Sequence, residues 1–174
     1  MIRAYHFVGK KLRDGRPVPA DGEWLVHEGP AVLCKSGLHA SRHPFDALQC
    51  APGGVLCLVE CDDIVDEQED KLVCRRRRIV ARFDATDLLR EFARICALSV
   101  IDKWKAPKVV RDYLETGDES LRDAAWRASA AAWAAAWDAE WAAAWRASAA
   151  AMGVYREKFR DMADAKFSAM GVKP

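Results

Sequence analysis

The residues best suited to chemistry lie together in the stretch CKSGLHASRHPFDAL, from Cys34 to Leu48. Imidazole rings exchange protons near neutral pH, and a serine hydroxyl both donates and accepts hydrogen bonds. We expect His39 and Ser41 to face a cleft beside the first predicted strand, which carries His6. The alternative is that each histidine is a structural side chain held by hydrogen bonds. In the KSGL turn, Gly37 is predicted to supply a positive φ.

The same stretch also has residue types that bind zinc. Cys34, His39, His43 and either Cys50 or Cys61 would form a ligand set. However, the chain has no pair of ligands with the two-residue spacing of zinc fingers and ribbons. Several cysteines lie in apolar strands, where thiols are inert. The sequence therefore predicts no metal site and no resident cofactor.

Two charged features fall in later predicted strands. Glu60 belongs to the apolar run GVLCLVEC, either as part of the cleft or at the exposed end of the strand. The run CRRRRIV places Arg75 and Arg77 on one strand face and Arg76 and Arg78 on the other. These arginines could contact an acidic protein or phosphates, or form a solvated edge neutralised by the preceding DDIVDEQED. We treat all of them as candidate partner-binding residues. The net charge of +1 gives no general attraction for nucleic acid.

The elements that position these side chains follow from the apolar pattern of the chain, which changes near Asp84. Before it, RAYHFV, PAVLCKSGLHAS, GGVLCLVECDD and KLVCRRRRIVARF have the apolar patterns of strands, and HPFDALQCA that of a short helix. After it, the apolar spacing is helical. We predict an α+β protein with a small N-terminal β-sheet and one short helix over residues 1–84. An all-helical region over residues 85–174 follows and is expected to pack on it.

The helical half contains AAWRASAAAWAAAWDAEWAAAWRASAAAM, in which alanine, the strongest helix former, surrounds the tryptophans. We predict a long helix over about 118–152. At ~100° per residue its tryptophans share an arc of roughly 120°. The candidate contact residues in this arc are Trp133, Trp137, Trp141 and Trp145. Such a stripe must be covered, either by the rest of the chain or by a partner or second copy, which would give a homo-oligomer.

The composition also bears on the compartment. No apolar run reaches the ~18–20 residues that span a bilayer, and the first residues lack the apolar core of a secretory signal. Cysteines in apolar surroundings without such a signal are typical of reduced cytoplasmic proteins. We therefore expect a cytoplasmic protein with no membrane contact.

The segments LCKSGLHAS, FDAL and GVLCLVE carry a resemblance to a known family. From Ile2 to Phe83 the chain resembles a small uncharacterised domain family found in phages and bacterial prophages, which has the motif C-x-x-G-[LF]-H-A. The residues that match this motif are Cys34, Gly37, Leu38, His39 and Ala40. The resemblance implies a phage- or prophage-type protein without implying an activity.

The chain also resembles the ADP-ribosyltransferase superfamily. There an early strand bears a histidine, a later GL…S segment enters a helix, and an apolar strand follows. YHF, GLHAS and GVLCLVEC occur here in that order. The resemblance implies an NAD-binding cleft formed by His6, Ser41 and Glu60, and so an enzyme that uses NAD.

The sequence favours binding over catalysis, because it has no phosphate-binding glycine loop, HExxH helix or nucleophile elbow. The leading hypothesis is a phage- or prophage-type cytoplasmic protein that inhibits bacterial defence, as anti-CRISPR proteins do. It would act by contacting a protein of the bacterial host. The alternatives are an ADP-ribosyltransferase-like enzyme and a structural or oligomerisation module.

Overall fold

The computed structural model describes residues 1–103, 105–136 and 141–174, with their side chains except at 103, 130–136 and 141–151. The strands are β1 (Ile2–Val8), β2 (Trp24–Val26), β3 (Leu38–Ala40), β4 (Val55–Glu67) and β5 (Leu72–Asp84). The helices are α1 (Pro44–Leu48), α2 (Thr86–Leu98), α3 (Lys108–Thr116), α4 (Arg122–Ala136) and α5 (Trp141–Ala169). Short 3-10 turns lie at Ile101–Lys103 and Glu119–Leu121.

The sheet is built around the long hairpin of β4 and β5. Each strand pairs antiparallel with its neighbours in the order β1–β4–β5–β2, and β3 also pairs with β5. The predicted small N-terminal sheet is therefore wrong: one five-stranded antiparallel sheet spans residues 2–84. The acidic segment belongs to β4, where Asp62 and Asp63 form ion pairs with Arg76 and Arg75 across the hairpin, at 3.0 and 3.3 Å.

The sheet curls around an apolar cluster on its inner face. Ser41, just after β3, exchanges two backbone hydrogen bonds with Tyr5 of β1, at 2.7 and 2.9 Å. This bridge brings the end of β3 back to the first strand. The buried residues of the cluster are Ala4, Val8, Leu38, Ala40, Cys57, Val59, Cys61, Leu72, Cys74 and Ile79. Their burial removes apolar surface from water, which is the main force that stabilises the sheet.

The end of α5 covers the outer face of the sheet. Residues 158–174 form one compact unit with residues 1–86. Phe159 and Phe167 of this segment are completely buried, and the Phe167 ring meets the edge of Phe83 at 5.0 Å. The Tyr5 hydroxyl donates to Asp164 at 2.6 Å. The C-terminal residues of the chain therefore complete the core of the sheet.

Residues 87–157 form a second compact unit, made of helices. Within it, Phe92 of α2 is buried and its ring lies edge-on to Tyr155 of α5 at 6.5 Å. Helix α3 ends at Gly117, which has a φ of 68°, as is common after a helix C-terminus. The predicted division at residues 84 and 85 stays a prediction.

The predicted helix over 118–152 includes a 3-10 turn, α4 and the first part of α5, and residues 137–140 lie outside the described ranges. Asp118 caps the short 3-10 turn by accepting from the Ser120 backbone at 2.9 Å, and α4 begins only at Arg122. Helix α5 (Trp141–Ala169) continues through Gly153, past the predicted end at about residue 152. The residue Trp137 and the side chains of Trp133, Trp141 and Trp145 lie outside the described parts of the chain.

Within the described ranges, we find no helix whose length and hydropathy would let it cross a bilayer.

Candidate functional site

The residues of the C-x-x-G-L-H-A segment form a tight turn before β3. Val32 and Ser36 exchange two backbone hydrogen bonds of 2.9 Å, and Cys34 between them has a φ of 64°. The Cys34 backbone N–H donates to Nε2 of His39 at 2.9 Å. Gly37 has a φ of 100°, as predicted, and a Cβ there would lie 2.6 Å from a methyl group of Val73. The motif therefore specifies a turn geometry that few other residues could adopt.

His39 holds this turn in its neutral form. A nitrogen that accepts from an N–H carries no proton, so Nε2 must be unprotonated while the bond to Cys34 exists. Burial lowers the pKa of His39, a backbone hydrogen bond with Gly37 opposes this effect, and the charge of Arg77 adds to it. This hydrogen bond from the Cys34 backbone N–H agrees with the alternative that His39 is a structural side chain.

His6 lies on the inner face of the sheet, opposite Cys57 of β4. The residue keeps some exposure, yet its surroundings disfavour the charged ring. Burial holds the pKa of His6 well below its ordinary value, and the charges of Arg77 and His39 lower it further. His6 is therefore a neutral side chain at neutral pH.

Arg77 projects inward from β5 and is only 6% exposed. Its guanidinium donates to the backbone carbonyl of His39, which connects β5 to the motif turn. Burial lowers the pKa of Arg77, and the neighbouring thiols of Cys61, Cys74 and Cys57 oppose that shift. Arg77 is a structural residue, so it does not belong with the other arginines as a partner contact.

The thiols on the inner face are enclosed. Cys57, Cys61 and Cys74 have no exposed surface, and burial raises the pKa of Cys57 to about 12. The hydrogen bond with Cys74, together with burial, also raises the pKa of Cys61. Cys74 in turn contacts the carbonyl of Leu38 at 3.3 Å. Among the residues the structure describes, no group of three or more His, Cys, Asp or Glu side chains has the arrangement of a metal site.

The structure does not bring the predicted catalytic residues His6, His39, Ser41 and Glu60 into one cleft. Ser41 is 5% exposed and joins β3 to β1 through its backbone. The N-cap of α1 is His43, whose Nδ1 accepts from the Phe45 backbone at 3.2 Å.

Glu60 lies on the face of the sheet opposite to His6. It pairs in register with Arg3 of β1, and successive strand residues point to opposite faces. Its carboxylate accepts from Nε of Arg78 at 2.8 Å and lies 3.9 Å from Arg3. Glu60 therefore balances arginine charge and cannot act together with His6.

Two of the candidate arginines form an exposed site with a residue that the sequence did not single out. The guanidinium carbons of Arg76 and Arg78 lie 4.7 and 4.9 Å from the centre of the Trp24 ring, within the range of a cation–π contact. Trp24 pairs with Arg78 across β2 and β5. We call Trp24, Arg76 and Arg78 the Arg–Trp surface. Arg75 pairs instead with Asp63.

Two carboxylates hold the arginines of the Arg–Trp surface. The side chain of Glu60 is 14% exposed, whereas those of Arg78 and Arg76 are 34% and 46% exposed. Asp62, whose side chain is 35% exposed, holds Arg76 at 3.0 Å. The groups that reach solvent therefore include both guanidinium groups, part of an indole ring and the carboxylate of Asp62.

The comparisons with known proteins identify a family and no characterised relative. No curated protein and no solved structure matches the chain. The family model described as Domain of unknown function (DUF7666) matches residues 2–91, which include the whole sheet, α1 and the motif turn. That match covers more than half of the chain, which therefore belongs to the DUF7666 family.

Proposed function

We propose that the chain is a protein-binding module that contacts its partner through the Arg–Trp surface. The observation that carries the proposal is the arrangement of Arg76 and Arg78 around the half-buried Trp24 ring, at 4.7 and 4.9 Å. Tryptophan and arginine are the residue types most enriched where truncation costs the most binding energy. Their combination on an exposed strand pair supports an interface.

The arginine side chains of the Arg–Trp surface are also held in place before a partner binds. Glu60 and Asp62 already orient the two guanidinium groups, so less side-chain freedom remains to be lost when a partner binds. Because Glu60 is more enclosed than either arginine, the exposed charges are the two guanidinium groups and the single carboxylate of Asp62, which leaves the surface positive on balance. The surface therefore favours an acidic protein over a basic one.

The resemblance to phage and prophage proteins gives this proposal its biological setting. We propose that the partner is a protein of the bacterial host, such as a component of its defence machinery, and that the module inhibits it by contact. The proposed compartment is the cytoplasm, and the free state of the cysteines supports it. The proposal requires no cofactor.

The NAD-using alternative has less support. It needs His6, Ser41 and Glu60 in one cleft, yet His6 and Glu60 lie on opposite faces of the sheet. Oligomerisation through the tryptophan helix remains an alternative that depends on residues outside the described ranges. We therefore propose the Arg–Trp surface alone as the binding site.

A pull-down with matched variants tests the proposal. Tagged wild type, Trp24→Ala and Trp126→Ala would each be exposed to the same bacterial lysate. Trp126 is the control, because it is 75% exposed on α4 and belongs to the other compact unit. A protein captured by wild type and Trp126→Ala and lost with Trp24→Ala, at unchanged thermal stability, is the expected result. Equal capture by wild type and Trp24→Ala would contradict the proposal.

A further inference from the structure

Strand β2 ends the hydrogen-bonded order of the sheet in the described residues. It pairs with β5 on one side, in the register Trp24 with Arg78, Leu25 with Arg77 and Val26 with Arg76. Directly opposite residues in an antiparallel pair alternate between hydrogen-bonded and non-hydrogen-bonded positions. This alternation determines which backbone N–H and C=O groups of β2 are already hydrogen-bonded to β5.

One observed hydrogen bond shows which positions of β2 are the hydrogen-bonded ones. The His27 N–H donates to the Arg75 carbonyl at 2.9 Å, so the position after Val26 is a hydrogen-bonded one. Trp24 and Val26 are then non-hydrogen-bonded positions, and their backbone N–H and C=O groups point away from β5. Val26 is 43% exposed, so this edge is accessible beside the Arg–Trp surface.

We propose that the edge of β2 accepts an extended acidic segment of the partner protein as an added β-strand. This inference rests on the proposed binding function and specifies its mode and the chemistry of the partner. The backbone groups of Trp24 and Val26 supply the strand pairing, as in other cases of strand addition. Side chains of the added strand that lie on the same face as Trp24 reach its ring and the guanidinium groups over it.

The positive charge beside the β2 edge indicates which kind of segment would pair with it. A segment with Asp or Glu at alternate positions would place its carboxylates on the Arg76 and Arg78 side, and apolar residues between them would face the other side. A second copy of the chain would instead place two Arg–Trp surfaces next to each other, and like charges across a strand pair are destabilising. The edge therefore fits an acidic partner segment better than a second copy of β2.

The first test uses peptides with the full-length protein. The probes are an end-blocked alternating Val–Glu peptide, the matching Val–Lys peptide, and the Val–Glu peptide methylated at alternate backbone nitrogens. We expect only the unmethylated Val–Glu peptide to bind and to shift the amide resonances of Trp24 and Val26. Equal binding of the methylated peptide would overturn strand addition and leave the Arg–Trp surface as a binding site.

The second test uses protein variants. Val26→Pro removes the outward N–H while it keeps the bonds to β5, since edge strands tolerate proline at such a position. Val26→Ala keeps the N–H and is the control. We expect Val26→Pro to weaken Val–Glu binding about fivefold to tenfold relative to Val26→Ala, as for the loss of one backbone hydrogen bond. Equal affinities would contradict the proposal.

The outcomes separate this inference from the proposed function. If a captured partner depends on Trp24 but not on the Val26 N–H, the binding function stands and strand addition is wrong. If a single-stranded oligonucleotide binds through Arg76 and Arg78 as tightly as the Val–Glu peptide, the occupant is a nucleic acid and the inference is wrong. If sedimentation shows dimers that Val26→Pro abolishes, the occupant of the edge is a second copy and the inference is likewise wrong.

Discussion

The backbone N–H of Cys34 donates to the imidazole of His39 at 2.9 Å, which ties the first residue of the C-x-x-G-L-H-A motif to its histidine. The same His39 presents its carbonyl to the buried Arg77. His39 thus contacts the motif turn through its ring and Arg77 on the inner face of the sheet through its backbone carbonyl. The motif is therefore a structural element that shapes the sheet, and the proposed binding surface lies elsewhere on it.

We predict that His39→Ala destabilises the protein by about 1–3 kcal/mol, because the Cys34 N–H loses its acceptor. Urea unfolding would measure the loss. His27→Ala is the control, since the His27 ring makes a long contact of 3.3 Å with Pro30 and its loss should cost less than about 0.5 kcal/mol. Equal costs for the two variants would show that the Cys34–His39 bond does not stabilise the turn.

Stability should fall in mild acid because of His6. Its pKa in the folded protein is depressed by burial and by Arg77, so the unfolded chain binds the proton more readily. The contribution is complete above the unfolded pKa of about 6.5 and is lost as the pH falls towards the folded pKa. The slope reaches at most ~1.4 kcal/mol per pH unit for one histidine.

The control for this pH dependence is His6→Gln. Denaturant unfolding of both proteins between about pH 7.5 and pH 5 should give a shallower dependence for the variant, because glutamine does not titrate. If the two profiles have the same slope, other groups account for the acid sensitivity.

We expect Gly37→Ala to cost about 2–4 kcal/mol, because its φ of 100° is strained for alanine and the added Cβ would lie 2.6 Å from Val73. Gly15→Ala separates the two effects. Gly15 also has a positive φ, of 85°, but a Cβ added there would have no neighbouring atom within 4 Å, so its cost should be about 1 kcal/mol. Thermal or urea unfolding of both variants measures the difference, and equal costs would exclude the steric contribution.

The cysteines should differ in how fast they react with a thiol reagent, according to their exposure. Cys34 and Cys50 are exposed and should react at once with a disulfide reagent in the native protein. Cys57, with its pKa raised to about 12, should react only on unfolding, as should the other two enclosed thiols of the inner face. The control is Cys57→Ser, which should lose no rapidly reacting thiol relative to wild type. If it does lose one, the inner face is open to solvent.

Local pattern predicted part of this structure. The alternation of apolar residues identified β4 and β5, and the KSGL turn indicated the positive φ of Gly37, since both signals depend on neighbouring residues. The extent of the sheet was missed because the acidic end of β4 has few apolar residues. It is a strand because it pairs with β5, through its backbone and through ion pairs, and this pairing depends on the register of the hairpin.

The candidate site was less predictable for the same reason. The arginine run was visible in the sequence, but its alternation alone did not indicate that Arg77 is buried while Arg76 and Arg78 lie over Trp24. Trp24 belongs to a strand of three residues, and its link to Arg78 arises from a pairing between distant parts of the chain. The position of Glu60 opposite to His6 likewise follows from the β1–β4 register.

Site-specific photo-crosslinking in bacterial cells tests whether the β2 edge and the Arg–Trp surface bind a host protein. A photoreactive amino acid would replace Val26, beside the Arg–Trp surface, or Trp126 as the exposed control on α4. We expect a covalent adduct with a host protein from position 26, which is lost when Arg76 and Arg78 are both changed to Gln, and no such adduct from position 126. Adducts that form only from position 126, or that persist without the two arginines, would contradict the proposal.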